Sequence, residues 1–353
     1  MDFCVIIPTF NEAPLLSRCV NAVRASHQFA ISPGKHERVS ARLRFIVSDG
    51  GSTDGTQDTA IALGCEVLGQ APGSGRGRGF QLAFATDYVM CQGGSSSLHE
   101  EAKTATCNDE QSPRMQRDMV DDGSTVLLFL HADCIVDPSA LAALAHVFSP
   151  ALPEPRRSCH AESHDELELA AATEMSEPIS ELAGCDIATL RLKYTLPLGA
   201  STLRQSFFRC CESWCFHGDG LWRSFGDQAI AITPRAMRII GGFPRWPLFE
   251  DVELFRRARR AAATSKQATT RKWGWLRDRR STRERCPGGR KTVDLFRLKK
   301  IVKVNVPIMA STRRFDQHGD FRYAAKCWFL VSMFASGASP EWLSQQYGER
   351  RPR

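Results

Sequence analysis

Carboxylate, amide and hydroxyl side chains are concentrated in two short segments near the start of the chain. PTFNEA at 8–13 and SDGGSTDGT at 48–56 each follow an apolar run rich in β-branched residues. Such runs predict buried strands, and polar groups at the carboxyl ends of parallel strands meet at the sheet edge where small ligands bind. The helices that follow would present unpaired N–H groups to an anion or a ribose. The two segments therefore indicate a nucleotide-binding edge.

Four residues of these loops are candidate ligand contacts. Asp49 can accept hydrogen bonds from a base or ribose, and Gly50 lets the backbone approach the ligand. Asn11 and Glu12 occupy the corresponding position after the first strand. The alternative is that these polar residues only cap the next helices. Because capping needs one polar residue per loop, the observed density of polar residues favours ligand binding.

A segment at 73–79, in which glycines alternate with Arg76 and Arg78, follows the third predicted strand. It does not match the dinucleotide fingerprint GxGxxG, because the last glycine is missing and no acidic residue follows at the required distance. We prefer a flexible loop that brings Arg76 and Arg78 to phosphate groups, with a plain flexible turn as the alternative.

The fourth predicted strand ends in LHAD at 130–133, where His131 and Asp133 point the same way from an extended chain. A hard cation that bridges diphosphate oxygens prefers carboxylate oxygen. Asp133 is therefore the better candidate metal ligand and His131 the second. The alternative role for Asp133 is to cap the helix predicted to begin at Pro138.

Two adjacent carboxylates, Glu250 and Asp251, open a predicted helix after the turn GGFP at 241–244. The helix dipole keeps carboxylates in this position ionised, and an ionised carboxylate beside a ligand is a candidate general base. Acidic first turns are also common for stability alone, and that alternative stays open for this motif by itself.

Two further pairs of polar residues are weaker candidates. Asp227 and Gln228 precede a predicted strand, and a simple turn would also explain them. Arg313 and Arg314 can clamp a phosphate bidentately or contribute only surface charge.

Alternating strand and helix patterns separate these candidates. Strands are predicted at 3–7, 43–48, 66–68, 126–130, 186–195 and 228–233, and helices at 14–24, 56–63, 80–90, 138–148 and 250–261. Because strand, helix and strand follow one another, we expect parallel pairing in an α/β fold.

Three polar segments at 93–123, 152–181 and 264–290 lack apolar periodicity, and we expect them to be disordered surface insertions. The rest forms a single predicted domain at 1–348, followed by a basic tail at 349–353. The third insertion is strongly basic and contains two tryptophans, a composition that suits lipid headgroups or nucleic acid. A solvated loop is the interpretation we prefer.

Composition sets broader limits. The 353 residues, 42% of them hydrophobic, suffice for a substantial core, and the net charge of +7 favours phosphate-bearing ligands or an anionic membrane surface. The 13 cysteines include no CxxC pair, and the first residues lack the pattern of a secretory signal. We therefore expect reduced thiols in a cytoplasmic protein, with no membrane span because the longest apolar stretch is shorter than ~20 residues.

Taken in order, the motifs resemble those of family 2 glycosyltransferases, inverting enzymes with the GT-A fold, and most of all the selenodomain-associated transferase subgroup. The resemblance covers the chain apart from the three insertions and rests on IIPTFNEA, VSDGGSTDGT, LLFLHAD, GDQ, GGFPRWPLFEDVEL, STRRF and GASPEWLSQQYG. It implies a Rossmann-like, mostly parallel sheet flanked by helices.

The resemblance also implies a donor and a mechanism. A nucleotide-sugar would bind through its base and ribose, and its diphosphate through Mg²⁺ or Mn²⁺ on Asp133, with His131 as second ligand. Asp251, with Glu250 beside it, matches the general base that removes the proton from the acceptor hydroxyl as its oxygen attacks the anomeric carbon, with inversion. The residues assigned to the donor are Pro8, Asn11, Glu12, Asp49, Gly50, Arg78, Ala132, Asp227, Gln228, Arg313 and Arg314.

Two departures from the family pattern limit these expectations. His131 stands where the usual metal motif has an aspartate, so metal affinity is expected to be lower or the ion less obligatory, although HAD is usual in the subgroup. The QxxRW signature of processive synthases is absent, and Arg313, Arg314 and Phe315 stand in a comparable place. A membrane-embedded polymerising synthase is therefore not expected.

Other functions stay open. The chain could be a non-catalytic protein that binds a nucleotide-sugar or a membrane surface, or a sugar nucleotidyltransferase, although PTFNEA lacks the glycine-rich, lysine-bearing loop that such an enzyme needs after its first strand. We expect no nucleic-acid partner. The acceptor hydroxyl, lipid-linked or not, is left open, as is peripheral membrane contact. An amphipathic helix at 321–335 is predicted to pack against the sheet as part of the core, with contact to a membrane as the alternative.

Overall fold

The computed structural model describes residues 1–32, 42–69, 77–92, 124–149, 184–217, 223–274, 298 and 301–348, and within 264–274 it describes the backbone alone. Arg76, most of the three predicted insertions and the predicted basic tail lie outside these ranges.

The first half of the chain forms four parallel strands joined by helices. Parallel pairing gives the order β3-β2-β1-β4. The elements are β1 (Asp2–Thr9), α1 (Ala13–Ile31), β2 (Leu43–Asp49), α2 (Thr56–Ala62), β3 (Glu66–Gly69), α3 (Arg78–Gln92) and β4 (Thr125–Phe129).

The second half extends the same sheet with mixed pairing. β4 is followed in space by β7, β6, β8 and β5, and four of the seven strand pairings in the sheet are parallel. The predicted α/β fold with a mostly parallel sheet flanked by helices is confirmed. The added strands are β5 (Ile135–Val136), β6 (Ile187–Thr195), β7 (Ile230–Ile232) and β8 (Ile301–Ser311).

Seven helices accompany these strands within the described residues. They are α4 (Ala140–Phe148), α5 (Thr202–Phe216), α6 (Pro234–Ile240), α7 (Glu250–Gly274), α8 (Arg313–His318), α9 (Asp320–Ala335) and α10 (Pro340–Tyr347).

Some predicted boundaries move for local reasons. The helix expected from Pro138 begins at Ala140, after Ser139 at the N-cap. The strand expected at 228–233 is reduced to 230–232 because Gly226–Gln228 form a 3₁₀ turn. Helix α7 is longer than predicted and extends eleven residues into the third predicted insertion.

The sheet carries an apolar layer on each face because strand side chains alternate. In β1, Phe3, Val5 and Ile7 join one core cluster while Cys4 and Ile6 join the other. The fully buried pattern of β1 is that of a central strand covered by helices on both sides. No helix in the described ranges is both long and apolar enough to cross a lipid bilayer.

A third apolar cluster joins the start of α7 to helix α9. Leu248, Phe249 and Val252 pack there against Leu330, Val331, Phe334 and Leu343. This cluster fixes the position of the two residues between Phe249 and Val252, which are the candidate catalytic carboxylates. Segment 321–335 is thus buried on this side as predicted, but in this cluster it packs against the start of α7 and against α10 and not against the strands of the sheet.

Candidate functional site

One edge of the sheet collects the candidate residues. Thr9 and Asp49 are register partners at the carboxyl ends of β1 and β2. Phe129, at the carboxyl end of β4, pairs with Ile230 at the start of antiparallel β7. The segments that carry Asn11, Asp49, His131 and Asp227 therefore leave the sheet on the same side.

Asp49 is fully buried and organises the loop after β2. Its carboxylate accepts five hydrogen bonds: from Thr9 Oγ1 at 3.1 Å, Gly51 N at 3.0 Å, Ser52 N at 2.8 Å, Ser52 Oγ at 2.5 Å and Gln57 Nε2 at 2.7 Å. These donors occupy both carboxylate oxygens. Asp49 thus positions the loop in this conformation, and a ligand would meet the backbone that it holds.

The loops after β1 and β2 are tied directly to each other. Ser52 Oγ accepts from Asn11 N at 2.8 Å, and Asn11 Oδ1 accepts from Thr53 N at 2.9 Å. At the start of α1, Thr56 Oγ1 accepts from Glu12 N at 3.0 Å and Asp54 Oδ2 from Ala13 N at 3.1 Å. The expectation that α1 offers these two N–H groups unpaired to an anion was wrong, because side chains of the second loop occupy them.

Gln81 is a residue of this edge that sequence analysis missed. Its amide is buried and donates to Thr9 O at 2.6 Å and Ser48 O at 3.0 Å. A Cβ at Gly50 would lie 2.8 Å from Gln81 Nε2, so the glycine is needed for this close packing. Gln81 therefore joins the carboxyl ends of β1 and β2.

His131, Asp133 and Cys134 form the group of candidate metal ligands after β4. One ligand atom from each lies within 4.8 Å of the others. Burial raises the pKa of the Cys134 thiol well above its ordinary value, so the thiol stays protonated and is a poor ligand for Mg²⁺ or Mn²⁺. The Asp133 carboxylate is partly exposed, and its one hydrogen bond among the described residues is a long contact from Cys134 Sγ at 3.8 Å.

Both ring nitrogens of His131 have partners. Nδ1 lies 2.8 Å from Asp227 Oδ1, and Nε2 lies 2.9 Å from Arg78 Nη1. Since the guanidinium can only donate, Nε2 accepts and Nδ1 carries the proton. Asp133 thus fits one carboxylate of a divalent ion that draws its other ligands from diphosphate and water, and His131 fits as a ligand once Arg78 withdraws.

Arg78 connects the first half of the sheet to the start of α7. Its guanidinium donates to Glu250 Oε1 and lies 3.8 Å from Asp251 Oδ2. Its neighbour Gly79 packs so closely on the segment before α7 that a Cβ there would lie 2.3 Å from Trp246 O. The glycine spacing around Arg78 therefore serves close packing, which places the arginine over both carboxylates.

Asp251 is 5% exposed and is buried among polar partners. Gly226 N donates to its Oδ2 at 2.6 Å, and Val252 N to its Oδ1 at 2.7 Å. A Cβ at Gly226 would lie 2.9 Å from His131 Nε2 and 3.1 Å from Asp251 Oδ2. His131, which follows β4, and Asp251 of α7 therefore both pack closely against Gly226.

Glu250 has a different environment from its neighbour. It is 1% exposed, and its Oε2 has no hydrogen-bond partner among the described residues. Burial raises the pKa of its carboxyl, Arg78 lowers it and the Asp251 charge raises it, with a net increase. A cavity of about 10 Å³, room for about one water, lies beside both carboxylates and is also lined by Pro8 and His131.

Asp227 is the more exposed of the acidic residues here, and its side chain is 48% accessible. Burial raises the pKa of its carboxyl, but the hydrogen bond from His131 and the charges of Arg78 and Arg314 hold that pKa well below its ordinary value. The next residue, Gln228, is buried and donates to Cys215 O and Arg223 O at 3.4 Å and 3.0 Å. Gln228 therefore joins Cys215 to Arg223, whereas Asp227 faces the histidine.

The paired arginines at the start of α8 reach the same site. Arg313 donates bidentately to Glu12, with Nη2–Oε1 at 2.8 Å and Nη1–Oε2 at 3.2 Å. Hydrogen bonding to Glu12 raises the pKa of the Arg313 guanidinium, and the charge of Asp133 adds to this increase. Arg314 donates to the Tyr347 hydroxyl and lies 5.2 Å from the centre of that ring. Ala132, in contrast, has its side chain in the core.

Three non-glycine residues in the described ranges have left-handed backbone, and each adjoins a candidate segment. They are Asn11 at φ 53°, Ala229 at φ 53° and Phe249 at φ 63°. This conformation is unfavourable for alanine and phenylalanine, and strained backbone of this kind clusters at functional sites. The observation supports the assignment of these segments independently of their polar residues.

A family model described as "Glycosyl transferase family 2" matches residues 4–91. None of the curated proteins that were compared matches the chain.

Three solved structures illustrate the similarity. S. aureus TarS 1–349 in complex with UDP-GlcNAc is 15% identical, with 73% of this chain and 53% of that chain covered and a TM-score of 0.38. Mannosyltransferase PcManGT from Pyrobaculum calidifontis, in complex with GDP-Man and Mn²⁺, is 14% identical, with 71% of this chain and 49% of that chain covered and a TM-score of 0.32. Glucosyl-3-phosphoglycerate synthase from Mycobacterium tuberculosis, with Mn²⁺, UDP-glucose and phosphoglyceric acid, is 17% identical, with 67% of this chain and 58% of that chain covered and a TM-score of 0.27.

This chain spans about half the length of the structures it matches, 55% for TarS 1–349 without ligand. The family match is confined to the part of the chain from β1 to α3, which carries Asn11, Glu12, Asp49 and Arg78. That match supports a family 2 glycosyltransferase.

Proposed function

We propose that the protein is an inverting glycosyltransferase that moves a sugar from a nucleotide-diphosphate-sugar to an acceptor hydroxyl, with Asp251 as general base. One observation carries the proposal: Arg78, from the segment matched by the family 2 model, joins His131 of β4 to Glu250 and Asp251 of α7. Membership of the selenodomain-associated subgroup, suggested by the HAD and FED motifs, is part of the same proposal.

Asp251 suits a general base better than Glu250. Two backbone N–H groups donate to its carboxylate oxygens and fix its orientation, and a general base needs such positioning. Glu250 is more deeply buried, and its raised pKa favours retention of a proton. Glu250 would therefore position Arg78, and Asp251 would take the proton from the acceptor hydroxyl as its oxygen attacks the anomeric carbon.

Arg78 would change partners during the reaction. In the structure it neutralises two buried carboxylates, and a donor diphosphate would compete for the same guanidinium because bidentate phosphate contacts are stronger than a shared ion pair. Withdrawal of Arg78 would expose Asp251 and free His131 Nε2. Arg314 interacts electrostatically with Asp227 and Arg313 with Asp133, so both arginines would add positive charge at the leaving group.

The donor would lie over the carboxyl edge of β1 and β2. Asn11, Glu12 and Gly50, together with Pro8 at the cavity, would contact the nucleoside, while Asp49 keeps their backbone in place. Asp133 and His131 would hold Mg²⁺ or Mn²⁺, which when bound would stabilise negative charge on the departing diphosphate.

Donor binding can be tested with the full chain by thermal shift against UDP-, GDP- and dTDP-sugars, each with and without Mn²⁺. A ligand at a hundredfold excess over its Kd stabilises the folded state by about 2.7 kcal/mol, which is a readily measured shift. We expect stabilisation by one nucleotide class, increased by Mn²⁺. Absence of a shift with every donor would contradict the proposal.

Catalysis is tested with Asp251→Asn, which keeps the shape of the side chain and removes its basicity. We expect the variant to bind the donor as the wild type does and to lose transfer by a factor of about 10²–10⁴. Asp87→Asn is the matched control, because Asp87 is an exposed carboxylate paired with Arg245 away from the site. Full transfer by Asp251→Asn would exclude the base, and donor binding without transfer or hydrolysis in the wild type would favour a non-catalytic binding protein.

A further inference from the structure

Two neighbouring helices, α5 and α9, expose large apolar side chains. Ten large hydrophobic residues are exposed in the described ranges, and six of them lie on these helices or on the turn before α5. We call these six the apolar face: Leu198, Leu203, Trp214, Phe321, Trp328 and Phe329.

The apolar face is continuous because the two helices run side by side in the same direction. Phe207 meets Phe321 with ring centres 5.0 Å apart, and seven residues further along each helix Trp214 meets Trp328 at 5.6 Å. Seven helical residues span about 10 Å, so the two aromatic contacts follow one line. An ion pair between Arg204 Nε and Asp320 Oδ2, at 3.0 Å, joins the N-terminal ends of the two helices.

Helix α9 is apolar on two opposite sides. Its inner side places Leu330 and Phe334 in the core cluster beside Phe249. Its outer side leaves Trp328 49% exposed and Phe329 53% exposed. A helix that is apolar all round is normally covered on all sides, and a contiguous exposed patch marks a contact surface whereas scattered residues do not.

Positive charge surrounds the apolar face. Arg209 and Arg322 are exposed, and Arg223 lies 4.2 Å from the centre of the Trp214 ring. The acidic residues of the same helices are engaged, Asp320 by Arg204 and Glu212 by the backbone N–H of Tyr194. The described part of this surface is therefore apolar and cationic.

A surface hollow at the C-terminal end of α5 combines these properties. It measures about 420 Å³ and is lined by Arg209, Cys210, Ser213, Trp214, His217 and Arg223. Two guanidinium groups and a hydroxyl beside an indole ring suit a phosphate group that is attached to an apolar chain.

We propose that the apolar face docks on an anionic lipid bilayer and that lipid phosphates bind in the hollow beside Arg209. Tryptophan prefers the headgroup level of a membrane, and arginines at the surface add attraction to anionic lipid. A second copy of this chain is a poorer occupant, because a twofold interface through this face would bring its arginine-rich borders together. The protein would then bind the membrane surface without crossing it.

The experiment is co-sedimentation of the full chain with vesicles of phosphatidylcholine alone or mixed with phosphatidylglycerol. We expect binding to the mixed vesicles, weakened by salt. The double variant Trp328→Ser, Phe329→Ser should bind at least about tenfold more weakly because two aromatic groups no longer enter the interface. Arg209→Gln, which leaves the apolar side chains intact, should bind about fivefold more weakly.

Ile61→Ser is the matched control, since Ile61 is 64% exposed on α2 and does not belong to the apolar face. It should bind vesicles as the wild type does. Equal loss in Ile61→Ser, or no binding by the wild type, would overturn the proposal. So would concentration-dependent dimers, measured by sedimentation velocity without lipid, that disappear in the double variant. Arg209→Gln decides the case if the double variant fails to fold.

Discussion

The two ends of the site are built in different ways. The loops after β1 and β2 are tied by hydrogen bonds between residues about forty positions apart, as in Asn11–Ser52 and Thr9–Asp49. The end that carries Glu250 and Asp251 is held by an ion pair across a much longer separation, 172 positions for Arg78–Glu250. The first end is fixed by adjacent strands, whereas the second depends on the docking of the two halves.

The two ends also differ in how completely their polar groups are satisfied. Asp49 accepts five hydrogen bonds and has no spare oxygen. Glu250, in contrast, keeps an oxygen without a partner among the described residues, beside a cavity. A carboxylate whose oxygens all accept hydrogen bonds stabilises one loop conformation. A carboxylate that still has an oxygen without a donor can change partners when a ligand binds. Mutations should therefore affect stability at the first end and ligand response at the second.

The largest expected loss of stability follows from Asp49→Ala. The change leaves buried donors, among them Thr9 Oγ1, without their acceptor, and we expect the free energy of unfolding to fall by about 3 kcal/mol. Urea denaturation measures this loss. Asp54→Ala is the control, because Asp54 is exposed and also accepts from backbone N–H groups of this loop pair. A loss in Asp54→Ala as large as that in Asp49→Ala would contradict the central role of Asp49.

Gly79→Ala tests the contact that joins the two halves. Because the new Cβ would lie 2.3 Å from Trp246 O, backbone must shift, and we expect a loss of about 2 kcal/mol. Alanine would otherwise stabilise the first turn of a helix. Gly69→Ala, where nothing lies within 4 Å of the new Cβ, should change stability by less than about 0.5 kcal/mol. Thermal unfolding compares the two, and a more stable Gly79→Ala would show that the halves do not meet there.

The contribution of Asp227 to the free energy of unfolding should depend on pH. Its lowered folded-state pKa means that ionised Asp227 stabilises the fold above the unfolded pKa, about 4, and loses this effect as pH falls towards the folded value. We expect Asp227→Asn to be less stable than wild type at pH 7, by less than about 1 kcal/mol because the side chain is half exposed. The difference should shrink below about pH 4 in metal-free urea titrations. A difference that grows on acidification would contradict the hydrogen bond between Asp227 and His131.

The smallest expected change in stability comes from Arg313→Gln. The Arg313–Glu12 pair is 42% and 19% exposed, so its loss should cost about 0.5 kcal/mol. Affinity for nucleoside diphosphates should fall more clearly, because Arg313 is proposed to stand at the leaving group. Titration of each variant with UDP and GDP measures this effect. Arg245→Gln breaks an exposed pair elsewhere and should leave the affinity unchanged.

Sequence was sufficient to locate several segments of the site because they lie at the carboxyl ends of predicted strands. Asn11, Asp49 and His131 follow parallel strands, and parallel strands end at one edge. It could not assign side-chain partners. No spacing in the sequence relates Gln81 to Thr9 and Ser48, or Arg78 to Glu250, since these contacts arise only when the sheet brings distant segments together.

Among the elements that sequence analysis missed, β8 and α5 were missed for different reasons. In β8, every second residue is buried, and the alternation of Val302, Val304 and Val306 is a readable strand signal that was overlooked. Helix α5 buries only Phe208 and Cys215, and its clearest signal is the N-cap, where Ser201 Oγ accepts from Arg204 N at 3.3 Å. Helices that cover little core leave little pattern in a sequence.

The left-handed backbone at Ala229 and Phe249 also bears on the order of events during folding. In a free chain these conformations cost about 1–3 kcal/mol each, so a nascent polypeptide adopts them only when surrounding groups reward them. For Phe249 those groups belong to α9, more than seventy residues later in the chain. The loops after β1 and β2 can therefore form early, whereas Asp251, the proposed base, reaches its final position only after the C-terminal helices have folded.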